Sequence, residues 1–354
     1  MMRRFWLSLA MLLAWTAAIG CRHPVQVCTD AKLQMVAPVQ AQVSAHLGTP
    51  DRGPLEQVLV ERIGRAPACK VALVDVDGLL VNAKSTGPYA AGENPVALLR
   101  EKLDAAAADP AIRAVVLRIN TAGGGVTATD LMWNEVRAFR TRTGIPVVAC
   151  LMDLATGGGY YLATAADLIY AHPTTVTGAI GVVFNHYNLQ DTLAQQSVRS
   201  EPIKAGDHVD MGTVNADMPP EVRDWLQGMA DEYHRRFVEV VLSRRPQVPR
   251  DDPQVFDGRV FTAQQAKQRG LVDRIGYLHD AVAAACQLAG QHEAAVVMFR
   301  RPGDPARSPF AVTANQAITG GLLPISIPGL ERSRLPQFMY IWLAEPTLDR
   351  LAGR

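Results

Sequence analysis

From Lys70 onward the apolar positions fall into two alternating textures. "KVALVDVDGLLV", "IRAVVLRIN" and "IPVVACLMD" are short, β-branched, nearly continuous apolar runs. Runs of that kind predict strands buried on both faces of a sheet. Between them, "NPVALLREKLDAAAADP" and "TATDLMWNEVRAFRTRTG" carry their apolar residues at helical spacing. The first helix stops at Pro110; the second has Thr or Asp at its start and Gly144 at its end. "DLIYAHP" and "GAIGVVFNHYNL" predict further strands. "PPEVRDWLQGMADEYHRRFVEVVLSRRP" predicts a long amphipathic helix, opened by Pro219 and Pro220 and closed before Pro246. "DGRVFTAQQAKQRGLVDRIGYLHDAVAAACQLAG" predicts a short strand and two helices, and "AAVVMFRRP" a last strand. Strands alternating with helices mean an α/β fold with a parallel sheet and right-handed crossovers.

The flanks differ. "MMRRFWLSLAMLLAWTAAIGC" has a basic start, an apolar run too short for a comfortable membrane span, and small residues before Cys21. "AIGC" resembles a lipobox, with Cys21 as the lipidated residue and a plain signal peptide or a retained anchor as alternatives. Residues 1–21 are thus expected to be a lipoprotein-type leader and residues 22–68 a tether, with one short helix at "LEQVLVERIG". Residues 69–302 form the main domain. Residues 303–354 make a tail that is Pro/Gly-punctuated yet apolar, and it is expected to pack on a neighbour or on the membrane surface.

Composition narrows the function classes. Of 354 residues, 48% are hydrophobic and 19% charged, enough apolar content for a real core. The net charge is +1, from 35 Lys+Arg against 34 Asp+Glu, so no basic field exists to hold nucleic acid. Export would permit a disulfide between Cys28 and Cys69. Cys150 and Cys286 lie in apolar surroundings and are expected in the core. No spacing resembles a metal site, and no cofactor is expected.

Two glycine clusters follow apolar strands: "NTAGGGVTA", Asn120 to Ala128, and "ATGGGYY", Ala155 to Tyr161. Each places backbone N–H groups at the carboxyl end of a strand, where α/β sheets bind ligands and where an oxyanion can be held. No Gly-Lys-Ser/Thr follows either, which excludes a phosphate loop.

"LRINTAGGGVTA", "DLATGGGYYLATAADLIYAHPTTVTGAIGVV", "IKAGDHVDMGT" and "DGRVFTAQQAKQRGLVDRIGYLHDAV" resemble, in order, motifs of the signal peptide peptidase A family, serine peptidases of the S49 type. The likeness covers roughly Lys70 to Gln287. It implies a crotonase/ClpP-like fold of stacked βαβ units. It also implies a Ser–Lys dyad, two groups that can come from neighbouring subunits of a ring, and cleaved signal peptides as substrates. Matched position by position, Gly158, Gly159, Tyr160 and Tyr161 align with the Gly-Gly-Tyr-Tyr of the nucleophile turn, and the serine falls on Gly157. Lys204 and Asp210 align in the second motif; the dyad lysine falls on Val209, with His208 in place of a tyrosine. Thr121, Ala122 and Gly125 stand where the family has Ser, Pro and Ser.

Peptide hydrolysis by this route needs an oxygen nucleophile and a base. Glycine and valine supply neither. Possible substitutes are Thr156, whose hydroxyl is expected to face into the fold, with Lys204 or His208 as base; Asp153 is expected to cap the turn. The cradle itself remains, with Gly124, Gly125, Gly158 and Gly178 as candidate oxyanion and peptide-binding residues. Three readings follow: a pseudo-peptidase that binds extended peptides at the cell envelope as a homo-oligomeric ring; an active serine/threonine-type peptidase with a rearranged site; and a non-catalytic subunit of a ring with an active paralogue.

Overall fold

The computed structural model describes residues 53–65, 67, 69–83, 86–87, 90–91, 93–186, 188–304, 306–311 and 338–342. The leader, Cys21 and Cys28 lie outside the described residues. In chain order the elements are β1 (Glu56–Ile63), β2 (Lys70–Leu80), the short hairpin β3 (Thr86–Gly87) and β4 (Ala90–Ala91), α1 (Pro95–Ala108), β5 (Ile112–Gly125), α2 (Val126–Thr143), β6 (Val147–Thr156), α3 (Gly158–Ala163), β7 (Leu168–Ala171) and β8 (Val176–Gly178). Then come α4 (Gln190–Gln195), α5 (Pro220–Arg244), β9 (Val260–Thr262), α6 (Ala263–Gln268), β10 (Arg274–Ile275), α7 (Leu278–Leu288), β11 (Ala294–Arg300) and β12 (Met339–Ile341).

The main sheet runs β1-β11-β2-β5-β6-β7-β10. Every neighbouring pair on that path is parallel except β1–β11. The fold is therefore α/β with a mostly parallel sheet. Its central strands alternate strictly between two cores. Val115, Leu117 and Ile119 of β5, with Val147, Ala149 and Leu151 of β6, face one core under α1, α2, α3 and α5. Ala114, Val116, Val148 and Cys150 face the other, under α7. Burial on both sides is why these strands read as unbroken apolar runs. Helix ends follow local rules: Asn94 caps α1 by accepting from the Val96 N–H, and Gly144 (φ +69°) closes α2 with its N–H on the Arg140 carbonyl.

Three expectations are corrected. Leu55–Gly64 is not helical; Glu56–Ile63 pairs along its length with β11. Valines at 58 and 60 suit a strand, and the available sheet edge overrides a helical reading. "GAIGVVFNHYNL" is not a strand; β8 ends at Gly178, and beyond it Val183 alone makes a bridge, to Met339. The tail does not point away to a neighbour or a membrane where it is described. The Pro309 and Ala311 carbonyls accept from Arg118, Ala311 also from Arg300, and β12 joins the sheet beside β5. Cys150 and Cys286 are core residues as expected.

Arg118 and Arg300 belong to a buried charge cluster. The Lys102 ammonium lies 2.6 Å from Asp75, with Arg118 at 3.9 Å and Arg300 at 4.0 Å from the same carboxylate. Asp77 joins through Arg118 at 3.3 Å. Burial, outweighing the attraction of Arg118, pushes the Asp77 carboxyl from an ordinary 3.8 up to about 6. The folded state thus holds this proton more tightly than the unfolded chain. The stability linked to it is fully present below pH 4 and is lost as pH rises to about 6, a loss of about 3 kcal/mol. Asp109, held near 2 by its bonds from Lys70 and Gln57, acts oppositely and only below that window. Urea unfolding at pH 4 and pH 7 should show this fall in the wild type and a smaller one in Asp77→Asn; equal slopes in both proteins would contradict the assignment.

Candidate functional site

The two glycine clusters meet at the carboxyl ends of β5 and β6. There the sheet divides. β6 leaves β7 and pairs instead with β8, Thr156 opposite Gly178, while β12 enters beside the last residues of β5. Gly157 stands at the turn between β6 and α3 with φ +51° and ψ −115°. Few residues other than glycine adopt that conformation without strain. A strained strand-to-helix turn of this kind is also the frame that lifts a hydrolase nucleophile out of its sheet. The Gly157 N–H donates to the Gly178 carbonyl (2.9 Å), and its own carbonyl accepts from Tyr161 to start α3.

Gly124 and Gly158, from the two glycine clusters, lie beside each other. A Cβ placed on Gly158 would lie 3.3 Å from the Gly124 nitrogen and 2.5 Å from Thr129 Oγ1. Gly124 is itself fixed by β2: a Cβ there would collide with the Leu80 carbonyl. Gly125 caps α2 and stands opposite Met339. Gly178 contributes its carbonyl to Gly157, and Phe261 leaves no room beside it for a side chain. Thr121 ties the first cluster down, donating to the Gly78 carbonyl and accepting from the Gly123 N–H.

The proposed substitutes are not assembled. Thr156 is fully buried, and its hydroxyl donates to the Ala122 carbonyl at 3.1 Å. Lys204 forms an exposed ion pair with Asp210, 2.8 Å from Oδ1. His208 is exposed, and Val209 is 68% exposed. Asp153 is exposed within β6. The described cysteines are buried, which pushes the Cys150 thiol up to about 12 and raises those of Cys69 and Cys286. Cys69 donates to the Glu293 carbonyl.

Two residues escaped the sequence reading. Thr129, the fourth residue of α2, is buried with no hydrogen-bond partner for its hydroxyl, directly behind Gly158. Neither a lysine nor an imidazole bonds to it, so it has no base. Tyr340, in the tail, is wholly buried in the site. Its ring stacks on Tyr161 at 5.3 Å and lies 4.7 Å from Phe237. Burial raises the phenols of Tyr161 and Tyr340, and the bond to Asp130 raises Tyr161 further. Both remain protonated donors: Tyr161 to Asp130 at 2.6 Å, Tyr340 to the Tyr233 carbonyl at 2.8 Å. Among the described residues no group of His, Cys, Asp and Glu side chains is placed to hold a metal ion.

The family model of peptidase family S49 matches residues 140–292. The chain is 32% identical over 219 residues to Protease 4 of Salmonella typhi, across 62% of this chain and 34% of that protein. By these matches the chain is related to peptidase family S49. It is 27% identical over 213 residues to a putative signal peptide peptidase SppA of Enterococcus faecium, covering 60% of this chain and 62% of that one, and is thus related to SppA. Among solved structures, a 1510-N membrane-bound stomatin-specific protease aligns at 14% identity and a TM-score of 0.40, over 66% of this chain and 98% of that one. The chain spans 34% of Protease 4 and 62% of the SppA relative.

Proposed function

We propose that this S49 chain is a catalytically impaired peptidase that binds extended peptides at the cell envelope. The observation that carries this reading is Gly157. The turn has the frame of a nucleophile elbow and no side chain on it, while the Gly124 and Gly158 amides that would hold a peptide carbonyl remain together. Without attacking oxygen and base, such a cradle gives a residual acceleration of ~10³–10⁴ over water, against 10⁶ or more for ordinary enzymes. The rearranged-site reading draws no support from Thr156, whose hydroxyl points to Ala122, or from Lys204, whose ammonium is paired with Asp210.

In this reading the leader exports the chain, Cys21 anchors it to the membrane by lipid, and copies associate as a ring. Val209 and His208 then sit on an exposed loop open to a neighbour. That neighbour is another copy, or, in the ring-subunit variant of the reading, an active paralogue. The test is one titration of the full chain with labelled extended peptides, scored at once for binding and for cleavage. Binding without turnover is the expected result. Turnover at ordinary enzymatic rates, or fluorophosphonate labelling mapped within residues 120–210, would overturn the proposal. Co-purification with a second S49 chain separates the two kinds of ring.

A further inference from the structure

At the end of α3 opposite Gly157, arginines from two helices converge on one turn of chain. Arg140 of α2 donates to the Ala165 carbonyl at 2.6 Å, and Arg244 of α5 donates through Nε to the Thr164 carbonyl at 3.1 Å. Arg137, three residues before Arg140 and on the same face of α2, lies 4.6 Å over the Trp133 ring. The Trp133 indole N–H in turn donates to the Thr164 hydroxyl at 2.9 Å. Two successive carbonyls and one indole thus bring three guanidinium groups to Thr164–Ala165. Part of this has a structural cause. α3 ends at Ala163, and cations beside the last carbonyls of a helix offset its dipole. That accounts for one N–H each of Arg140 and Arg244, and for none of Arg137.

The charge is not balanced. Among the described residues the one carboxylate paired with any of the three is Asp167, and it is occupied by Arg140 and by the Val147 N–H. Both Nη groups of Arg244 and the whole fork of Arg137 have no acceptor among the described residues. The like charges also press on one another. Burial, then the charges of Arg244 and Arg137, lowers Arg140 from its ordinary value; burial, then Arg137 and Arg245, lowers Arg244. A solvated face keeps its cations apart. Half-buried guanidinium groups held together weaken the bare protein, and an anion between them would relieve the repulsion. The forks suit one class of anion. Each presents parallel N–H groups at the spacing of two phosphate oxygens, and weak hydration lets it be partly buried. A carboxylate fills one fork; a phosphoryl group has oxygens for more than one.

We propose that Arg137, Arg140 and Arg244 form a binding site for a phosphoryl group. The open forks of Arg137 and Arg244 take its oxygens, and Arg140, held in place by Asp167, adds its charge. A free phosphate and the phosphodiester headgroup of an anionic lipid share this chemistry. The site does not use the glycine clusters, and it stands whether or not the chain binds or cleaves peptides.

The experiment is a calorimetric titration of the full chain at pH 7, with ionic strength held constant by chloride. The probes are inorganic phosphate and glycerophosphoglycerol, the water-soluble headgroup of an anionic phospholipid. The variant is Arg137→Gln, because Arg137 is exposed and donates to no carbonyl of α3, so its loss leaves the fold standing. The wild type should bind phosphate, and Arg137→Gln should weaken that binding about tenfold, the loss of a charge-assisted hydrogen bond. Arg137→Lys, which keeps the charge without the fork, should recover only part of it. Saturating phosphate should raise the urea midpoint of the wild type more than that of Arg137→Gln. Tighter binding of the diester than of phosphate would assign the site to a lipid headgroup, and the reverse order to free phosphate. If neither probe binds above the chloride background, or if Arg137→Gln binds both as tightly as the wild type, the site does not exist and the arginines serve only the end of α3.

Discussion

Gly157→Ser combined with Val209→Lys is expected to cut the chain at its own peptide bond between Tyr340 and Ile341. A Cβ introduced at 157 would lie 2.6 Å from the Tyr340 carbonyl carbon, too close for both to stay, so β12 must back away, and the serine hydroxyl then meets that carbonyl first. The serine oxygen adds to the carbonyl as the lysine takes its proton. The Ile341 amine then leaves with that proton, and water hydrolyses the resulting ester. Intact-mass measurement should show loss of everything from Ile341 onward, followed by turnover of added peptides ~10²–10³-fold above wild type or more. The serine at φ +51° costs about 1–3 kcal/mol of strain, so the variant should also melt earlier. Gly157→Ser alone lacks the base and should remain uncut. In the proposed ring a lysine at the exposed position 209 would act on a neighbouring copy, and the rate should then rise with protein concentration. If the wild type already turns over peptides as fast as the double variant, the idea of an emptied site is wrong.

Asp75→Ala is expected to cost about 3–5 kcal/mol, the loss typical of removing one partner from a buried ion pair. The Asp75 and Lys102 side chains are 1% exposed and 2.6 Å apart, and two further guanidinium groups lie within 4.0 Å of the same carboxylate. Removing the anion leaves three cations in a medium that solvates them poorly. Adding Lys102→Met to Asp75→Leu should recover much of the loss, since well-packed apolar pairs commonly match buried ion pairs. Urea midpoints around this double-mutant cycle decide it. A cost below about 1 kcal/mol for Asp75→Ala would mean that water reaches the cluster. Through Arg118 and Arg300 the same cluster holds the Pro309 and Ala311 carbonyls, so its loss should loosen residues 306–311 first.

Much of the candidate site was legible in the residues because it is built from glycines at strand ends. That glycine stands at 157, where the motif it resembles has serine, needs only a comparison of motifs. The positions of Gly124 and Gly158 follow from clusters placed at strand ends. Thr129 was missed because a buried hydroxyl in a helix gives no sequence signal; its importance lies in standing behind a glycine from another cluster. Tyr340 was missed for a related reason. "FMYIWLAEP" reads as an apolar stretch seeking cover, and periodicity does not say what covers it.

The sequence by itself determined β2, β5, β6, α1 and α2, and the parallel α/β class. Those features are set by local periodicity, caps and side-chain chemistry, all readable within about ten to twenty residues. Only the tertiary structure decided that Glu56–Ile63 is a strand on β11, that Val183 makes a single bridge rather than a whole strand, and that β12 from the tail lies between Val183 and β5. Strand partners come from distant chain segments, and a backbone edge accepts whichever segment presents matching N–H and C=O groups. Here that segment lies more than two hundred residues beyond Gly123, Gly124 and Gly125, with which it pairs.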